Sequence, residues 1–260
     1  MTEYWLFDPS GNITALIPLP DETACDPSIA EAVMRAEPSC EQVGFVLPGA
    51  ETCNAILQMA GGEFCGNASL CTGVLTAVRT GASVGSTIRL KIAVSGTSEP
   101  VSVILERKGE DFFSGNVVMP PVTEIRNVHF PDHEAAPVPV VIMPGISHAI
   151  VPESFGMEQA EAVIRDWCSV LDAPALGIML TDATFTRLTP LVYVPAVRTL
   201  YRENSCASGT AALGALLAYR RQSLCAFSLV EPGGTLSVSA TPDGSVTLGN
   251  TIRVLRRSCI

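Results

Sequence analysis

The sequence has no basic cluster. Its longest runs of positive charge are the pairs Arg220–Arg221 and Arg256–Arg257, and 16 Lys and Arg stand against 26 Asp and Glu, for a net charge of −10. A nucleic-acid partner is not expected, because gripping a phosphate backbone needs clustered cations. Charged residues of either sign are few, 16%, while apolar ones reach 47%, which points to a compact globule rather than a disordered chain. No apolar run approaches the roughly 18 residues of a membrane span; the most apolar region, 137–152, is broken by prolines and Gly145. The start, Met-Thr-Glu-Tyr-Trp-Leu-Phe-Asp-Pro, lacks the basic and apolar segments of a secretory signal. A cytoplasmic protein without a membrane partner is the expectation. The nine cysteines include no Cys-x-x-Cys pair, and the closest two, Cys65 and Cys71, are six residues apart. No metal is expected, zinc included, and the odd, scattered set reads as reduced thiols. His129 and His133 have a ligand-like separation, but Pro131 lies between them in a Pro-rich loop, and both read as surface residues.

What is present is internal self-similarity. Glu31-Ala32-Val33-Met34-Arg35 recurs as Glu161-Ala162-Val163-Ile164-Arg165, an offset of 130. Gly44-Phe45-Val46-Leu47 recurs as Gly177-Ile178-Met179-Leu180 at offset 133, and Gly11, Ala15 and Ile17 match Gly145, Ala149 and Val151 at offset 134. Cys65-Gly66-Asn67-Ala68 leads into Gly73, Leu75 and Arg79, as Cys206-Ala207-Ser208-Gly209 leads into Gly214, Leu216 and Arg220, at a constant 141. Each match is weak by itself; their common order makes the chain two homologous halves joined near the Pro-rich stretch 119–139.

Both halves predict the same elements. Strands at Tyr4–Phe7 and Val138–Met143 precede a Gly turn and a helix over the Glu-Ala-Val repeat. Strands at Val43–Leu47 and Gly177–Leu180 follow, then a helix of small residues opening at each cysteine. Each half closes with alternating strands, Thr87–Val94 with Val101–Glu106, and Leu236–Ala240 with Val246–Leu248, turned at Ser95-Gly96 and Asp243-Gly244. The expected fold is α/β (α+β), with two pseudo-symmetric domains, each a mainly antiparallel sheet or barrel wrapped around a central helix. A helix poor in bulky side chains can approach strands on several sides.

The two cysteine turns carry the chemistry. A helix N-terminus offers unpaired N–H groups and a positive dipole end, which bind a carboxylate and favour a thiolate. Two such turns facing one α-carbon would allow one sulfur to remove a proton and the other to return one on the opposite face. The remaining cysteines, Cys25, Cys40, Cys53, Cys71, Cys168, Cys225 and Cys259, read as packing.

These motifs also carry a family resemblance. Cys65-Gly66-Asn67-Ala68, with Cys71 beyond it, resembles the first catalytic motif of the diaminopimelate epimerase family, and Cys206-Ala207-Ser208-Gly209-Thr210 resembles the second. Ser10-Gly11-Asn12 resembles its N-terminal Gly-Asn turn, and Gly145-Ile146-Ser147-His148-Ala149 its Gly-Asn-Pro-His-Ala segment. The resemblance implies that family's two-domain fold, with a first domain of 1–118 plus 250–260, a second of 119–249, and the catalytic cleft between them. It implies chemistry without pyridoxal phosphate or any other cofactor, with Cys65 and Cys206 as the bases, and a C-terminal strand near Thr251–Leu255 returning to the first domain. Departures fall where the far end of diaminopimelate would be held: Ile146, Pro190, and the stretch Ile56 to Glu63 each replace family asparagines or their surroundings. Met59-Ala60-Gly61-Gly62-Glu63-Phe64-Cys65 and Glu203-Asn204-Ser205-Cys206 are more similar to the histidine racemases of staphylopine-type metallophore pathways.

The reading is an amino-acid racemase acting on a small molecule, histidine first. Asn12, Gly66, Asn67, Ser208, Gly209 and Thr210 would hold the α-carboxylate and shape the turns. Glu203, then Glu63, would pair with the ammonium, unless either merely complements a helix dipole. His148 is either a substrate neighbour or a hydrogen-bonded structural histidine. The alternatives are diaminopimelate epimerase, a same-fold isomerase of a non-amino acid, a non-catalytic binder and, more weakly, a cysteine hydrolase. A homodimer is allowed for.

Overall fold

The computed structural model describes residues 2–21, 25–131 and 136–260. His129 is exposed, and His133 lies outside the described residues. The chain divides into two compact units, Met1–Val118 with Gly249–Ile260, and Met119–Leu248. No helix among the described residues is long and apolar enough to cross a membrane.

The first unit is a closed barrel around one helix. Its strands are β1 (Glu3–Asp8), β2 (Thr14–Pro18), β3 (Gln42–Pro48), β4 (Ala55–Met59), β5 (Thr87–Val94), β6 (Val101–Arg107) and β7 (Phe112–Val118), joined by the later part of β16 (Val246–Cys259), which pairs antiparallel with β1 and so closes the ring. Most neighbours run antiparallel. β2 with β3 and β4 with β5 are parallel, because a helix crosses between the members of each pair: α1 (Pro27–Ala36) between the first two and α2 (Gly66–Arg79) between the second. Only Ala30 and Val33 of α1 are buried, on the face that meets β3. In α2 nearly every residue from Gly66 to Ala77 is buried. The composition explains this: Gly66, Ala68, Ser69, Gly73 and Ala77 let α2 meet β2, β4, β5, β6 and β7 at once. A Cβ on Gly73 would already stand 3.0 Å from Val103 Cγ1.

The second unit repeats the order. A six-stranded sheet runs β13 (Thr199–Arg202), β12 (Leu188–Val194), β11 (Leu176–Thr181), β10 (Ile146–Pro152), β9 (Val138–Met143) and β8 (Glu124–Val128). β10 and β11 are the parallel pair, bridged by α3 (Met157–Leu171), which buries Ala160, Val163, Ile164, Trp167 and Cys168 at the spacing of one helix face. Trp167 stacks on Phe130 at 4.0 Å between ring centroids. The central helix α4 (Ala207–Arg221) is buried from Ala207 through Ala218 and packs on β9, β10, β14 (Cys225–Glu231) and β15 (Gly234–Ala240). β15 pairs with the start of β16, the strand that then continues into the first unit.

Candidate active site

In the first unit Cys65 is the N-cap of α2, with extended backbone (φ −134°, ψ 115°), and its sulfur accepts a hydrogen bond from the Ala68 N–H at 3.4 Å. The thiol donates to Gln42 Oε1 at 3.1 Å. Gln42 is fixed from behind, donating to Thr14 Oγ1 at 2.8 Å and to Asn12 Oδ1 at 2.5 Å. Asn12 also accepts from Asn67 and donates to Glu41 at 2.6 Å, and Asn67 accepts from Asn250 at 3.0 Å. The turn that aims Asn12 needs two left-handed residues, Ser10 (φ 55°) and Gly11 (φ 86°), with the Gly11 N–H held by Asp8. Asn12 and Asn67 are 2% and 1% exposed, and their amides build the turn and brace Gln42.

Glu63 precedes Cys65 in a loop pinned by Ser95, whose hydroxyl donates to the Glu63 carbonyl at 2.9 Å. Glu63 Oε2 is buried with no hydrogen-bond partner among the described residues, and burial pushes the carboxyl up from its ordinary 4.5.

In the second unit Cys206 is the N-cap of α4 (φ −125°, ψ 101°), without a capping bond from its sulfur. Ser208 Oγ lies 3.6 Å from the sulfur. Glu231, at the end of β14, accepts from the Cys206 N–H at 2.6 Å and from the Thr210 hydroxyl. Glu231 is 3% exposed, and burial raises its carboxyl to about 8, against the pull of those two donors. The Cys206 thiol is pushed well above its ordinary 9.0, first by burial, then by the carboxylates of Glu203 and Glu231. That corrects the expectation that a helix start makes this thiol more acidic. Complete burial shifts a group by up to 3–5 pH units, whereas a helix terminus contributes roughly 0.3–2 kcal/mol, about one unit. Thr210, fully buried, serves Glu231 and shapes the turn.

His148, on β10, is fully buried beside Gly177 of β11, where a Cβ would stand 2.4 Å from its Nδ1. Neither ring nitrogen has a partner among the described residues, and burial pushes the imidazole down to about 3. It is therefore held neutral. Met179 links it to the cysteine turn: its Sδ stands 2.1 Å from where a Cβ on Gly209 would be, and that Cβ would be 3.3 Å from Cys206 Sγ.

Two units of similar order thus each hold a central helix N-capped by a cysteine. Residues 2–253 match the family described as the histidine racemase CntK N-terminal domain. The chain belongs to that family. A histidine racemase of Fusobacterium nucleatum is 32% identical over 238 residues, 88% of this chain and 86% of that protein. A histidine racemase of Staphylococcus aureus is 28% identical over 247 residues, 92% and 88% of the two chains. Among solved structures, a predicted epimerase from Pseudomonas aeruginosa shares the fold with a TM-score of 0.73 at 16% identity, covering 100% of this chain and 99% of that one. A probable proline racemase from Agrobacterium radiobacter does so at 0.73 and 14%, covering 100% and 93%.

Membership of the histidine racemase family agrees with the resemblance read from the cysteine motifs. Members of the networks that escaped the sequence reading include Gln42, Asn250 and Glu231. Gln42 opens an apolar strand and Asn250 sits at the edge of the expected C-terminal one, where a lone polar residue signals little. Glu231 stands in Val-Glu-Pro-Gly-Gly, which reads as a solvated hairpin end.

Proposed function

We propose that this protein is a cofactor-independent histidine racemase in which Cys65 and Cys206 are the two acid–base groups. The observation that carries the reading is the pair of cysteines capping the two central helices of a histidine racemase family member. Each cysteine turn can hold an α-carboxylate with its opening helix N–H groups, at Gly66 in α2 and at Ser208 and Gly209 in α4. Glu203 takes the ammonium group near Cys206, with Glu63 as its counterpart near Cys65. A cation beside Glu203 neutralises a charge that opposes the Cys206 thiolate, so substrate binding itself brings this thiol toward its working range.

At rest the Cys206 proton is held tightly, which makes this residue the acid in one direction of reaction. Cys65 is then the base. As it ionises, the Ala68 N–H already aimed at its sulfur stabilises the thiolate. The roles exchange for the other enantiomer. Exclusion of water by neutral His148 and the apolar strands supports a carbanion-like transition state. The reaction belongs in the cytoplasm, where thiols stay reduced.

Incubation with L-histidine in D₂O, with reductant and without pyridoxal phosphate, should give D-histidine and α-deuteration by NMR. Cys65→Ser and Cys206→Ser should each lose activity by about 100-fold or more. Exchange of diaminopimelate but not histidine would replace the substrate. Near-normal racemisation by either serine variant would end the two-base scheme.

A further inference from the structure

The two cysteines are held by different chemistry. Cys65 leans on an uncharged amide, Gln42, and on the Ala68 N–H. Cys206 has no capping bond from its sulfur, and its backbone N–H goes to a carboxyl group from another element, Glu231 of β14. In a capping box, the residue three positions into a helix sends a Glu side chain back to the N-cap N–H. That position in α4 is Gly209, where any side chain would run into Met179. The carboxyl must therefore come from outside the helix.

The strand delivering it is itself fixed to the cysteine segment. The Gly233 N–H, just past Glu231, donates to the Asn204 carbonyl at 2.8 Å, and the Val230 N–H, just before it, donates to the Thr186 carbonyl at 2.9 Å. Glu231 is buried, with Thr210 on its second oxygen.

We propose that Glu231 is a positioning residue for Cys206, a capping carboxyl supplied by β14 that fixes the cysteine turn and sets the charge its thiol faces. The proposal rests on the racemase reading for its consequence in catalysis, but not for its direct test. Cys206 and Thr210 of α4 are the groups that hold Glu231, and no charged side chain contributes to its shift. Glu203, from the segment before α4, is the other carboxylate facing Cys206; His148 of β10 is buried and neutral. The geometry makes thiolate and carboxylate compete for one negative charge. The two groups do not carry the charge together: Cys206 ionises readily only while Glu231 keeps its proton, and Glu231 ionises only while Cys206 keeps its own.

Glu231→Gln separates the two roles. Its amide can accept from the Cys206 N–H and donate to Thr210, so the turn is kept and the charge removed. Thiolate absorbance in the ultraviolet, titrated in the parent and in E231Q, each against its own Cys206→Ser counterpart, isolates Cys206. The expected result is a midpoint about 1 pH unit or more lower in E231Q, no movement of Cys65 when it is isolated in the same way, and a matching acid shift of the pH profile of kcat. Glu231→Leu, which removes both bonds, should lower kcat at every pH by about 10–100-fold. An unmoved Cys206 midpoint in E231Q overturns the electrostatic role, and an undiminished kcat in E231L overturns the positioning role. If E231L does not fold, the E231Q titration still decides the first, and Glu231→Ala, which also removes both bonds, decides the second: an undiminished kcat in E231A overturns the positioning role. The titration needs no substrate, so a protein that fails to racemise histidine refutes the proposed function and leaves Glu231 testable.

Discussion

Gly209 shows how little room the cysteine turn has. A methyl there would meet Met179 Sδ at 2.1 Å and Cys206 Sγ at 3.3 Å. The thioether is a flexible side chain, so Gly209→Ala should fold, at a cost of about 1–3 kcal/mol from overpacking. The catalytic cost should be larger, because a displacement of about 1 Å in a reacting group is worth on the order of 100-fold. Steady-state kinetics should therefore show kcat falling far more than the melting temperature suggests, and Met179→Ala added to G209A should restore part of it. A G209A enzyme of parental rate would mean that the sulfur tolerates displacement. At this scale the sequence was readable in one respect: two cysteines followed by small residues mark two helix starts. It was silent on Gln42 and Glu231, because their partners lie 23 and 25 residues away and nothing local requires them.

The two central helices are the elements on which everything else is laid, and their small residues are not equivalent. Gly214 of α4 faces Val238 of β15, where a Cβ would come within 2.6 Å of Cγ2 and 3.3 Å of Cγ1. A β-branched side chain in a strand has little freedom to turn aside. Gly73 of α2 has its nearest neighbours, Val103 Cγ1 and Leu105 Cδ1, at 3.0 and 3.2 Å, a gap that closes with shifts of tenths of an ångström. Alanine gains about 1 kcal/mol over glycine in a helix interior, against about 1–3 kcal/mol for overpacking. Gly214→Ala should thus be clearly less stable in urea titration, while Gly73→Ala should lie within about 1 kcal/mol of the parent. The reverse order would show that β15 yields more readily than β6. Central helices and hairpins could be read from small-residue runs and alternation. The strands β2, β4, β7, β8, β10, β12, β13 and β14 were not. Fully buried segments such as Ile146–Val151 and Thr14–Ile17 lose the alternation that marks a strand with one wet face, while β7 and β14 alternate in burial but hide it in sequence, with Gly115 and Glu231 facing in and Val118 and Val230 facing out.

At the scale of the whole chain, two buried titrating groups oppose each other in pH. His148 has its imidazole lowered from 6.5 to about 3. Below 6.5 the unfolded chain binds a proton that the native state refuses, so stability falls as the pH drops through this window. Glu231 is raised from 4.5 to about 8. Between those values the native state holds the extra proton, so stability is lost as the pH rises toward 8. From 4.5 to 6.5 these two trends cancel, leaving only the smaller trend of Glu63, a carboxyl also raised by burial; below 4.5 His148 is joined by carboxylates held low in the native state, among them Glu37, lowered by Arg256. From 6.5 to 8 only the Glu231 trend remains of the two, and it acts in the same direction as mounting self-repulsion in a chain of net charge −10. Thermal melting against pH should therefore show a plateau between about 4.5 and 6.5 and a decline on both sides. Glu231→Gln removes one of the opposing trends, so its plateau should become a slope rising to about 6.5, with a shallower decline above. A parental profile that climbs steadily to pH 8 would mean that the native state does not retain the Glu231 proton, and the competition between that carboxyl and Cys206 would lose its basis.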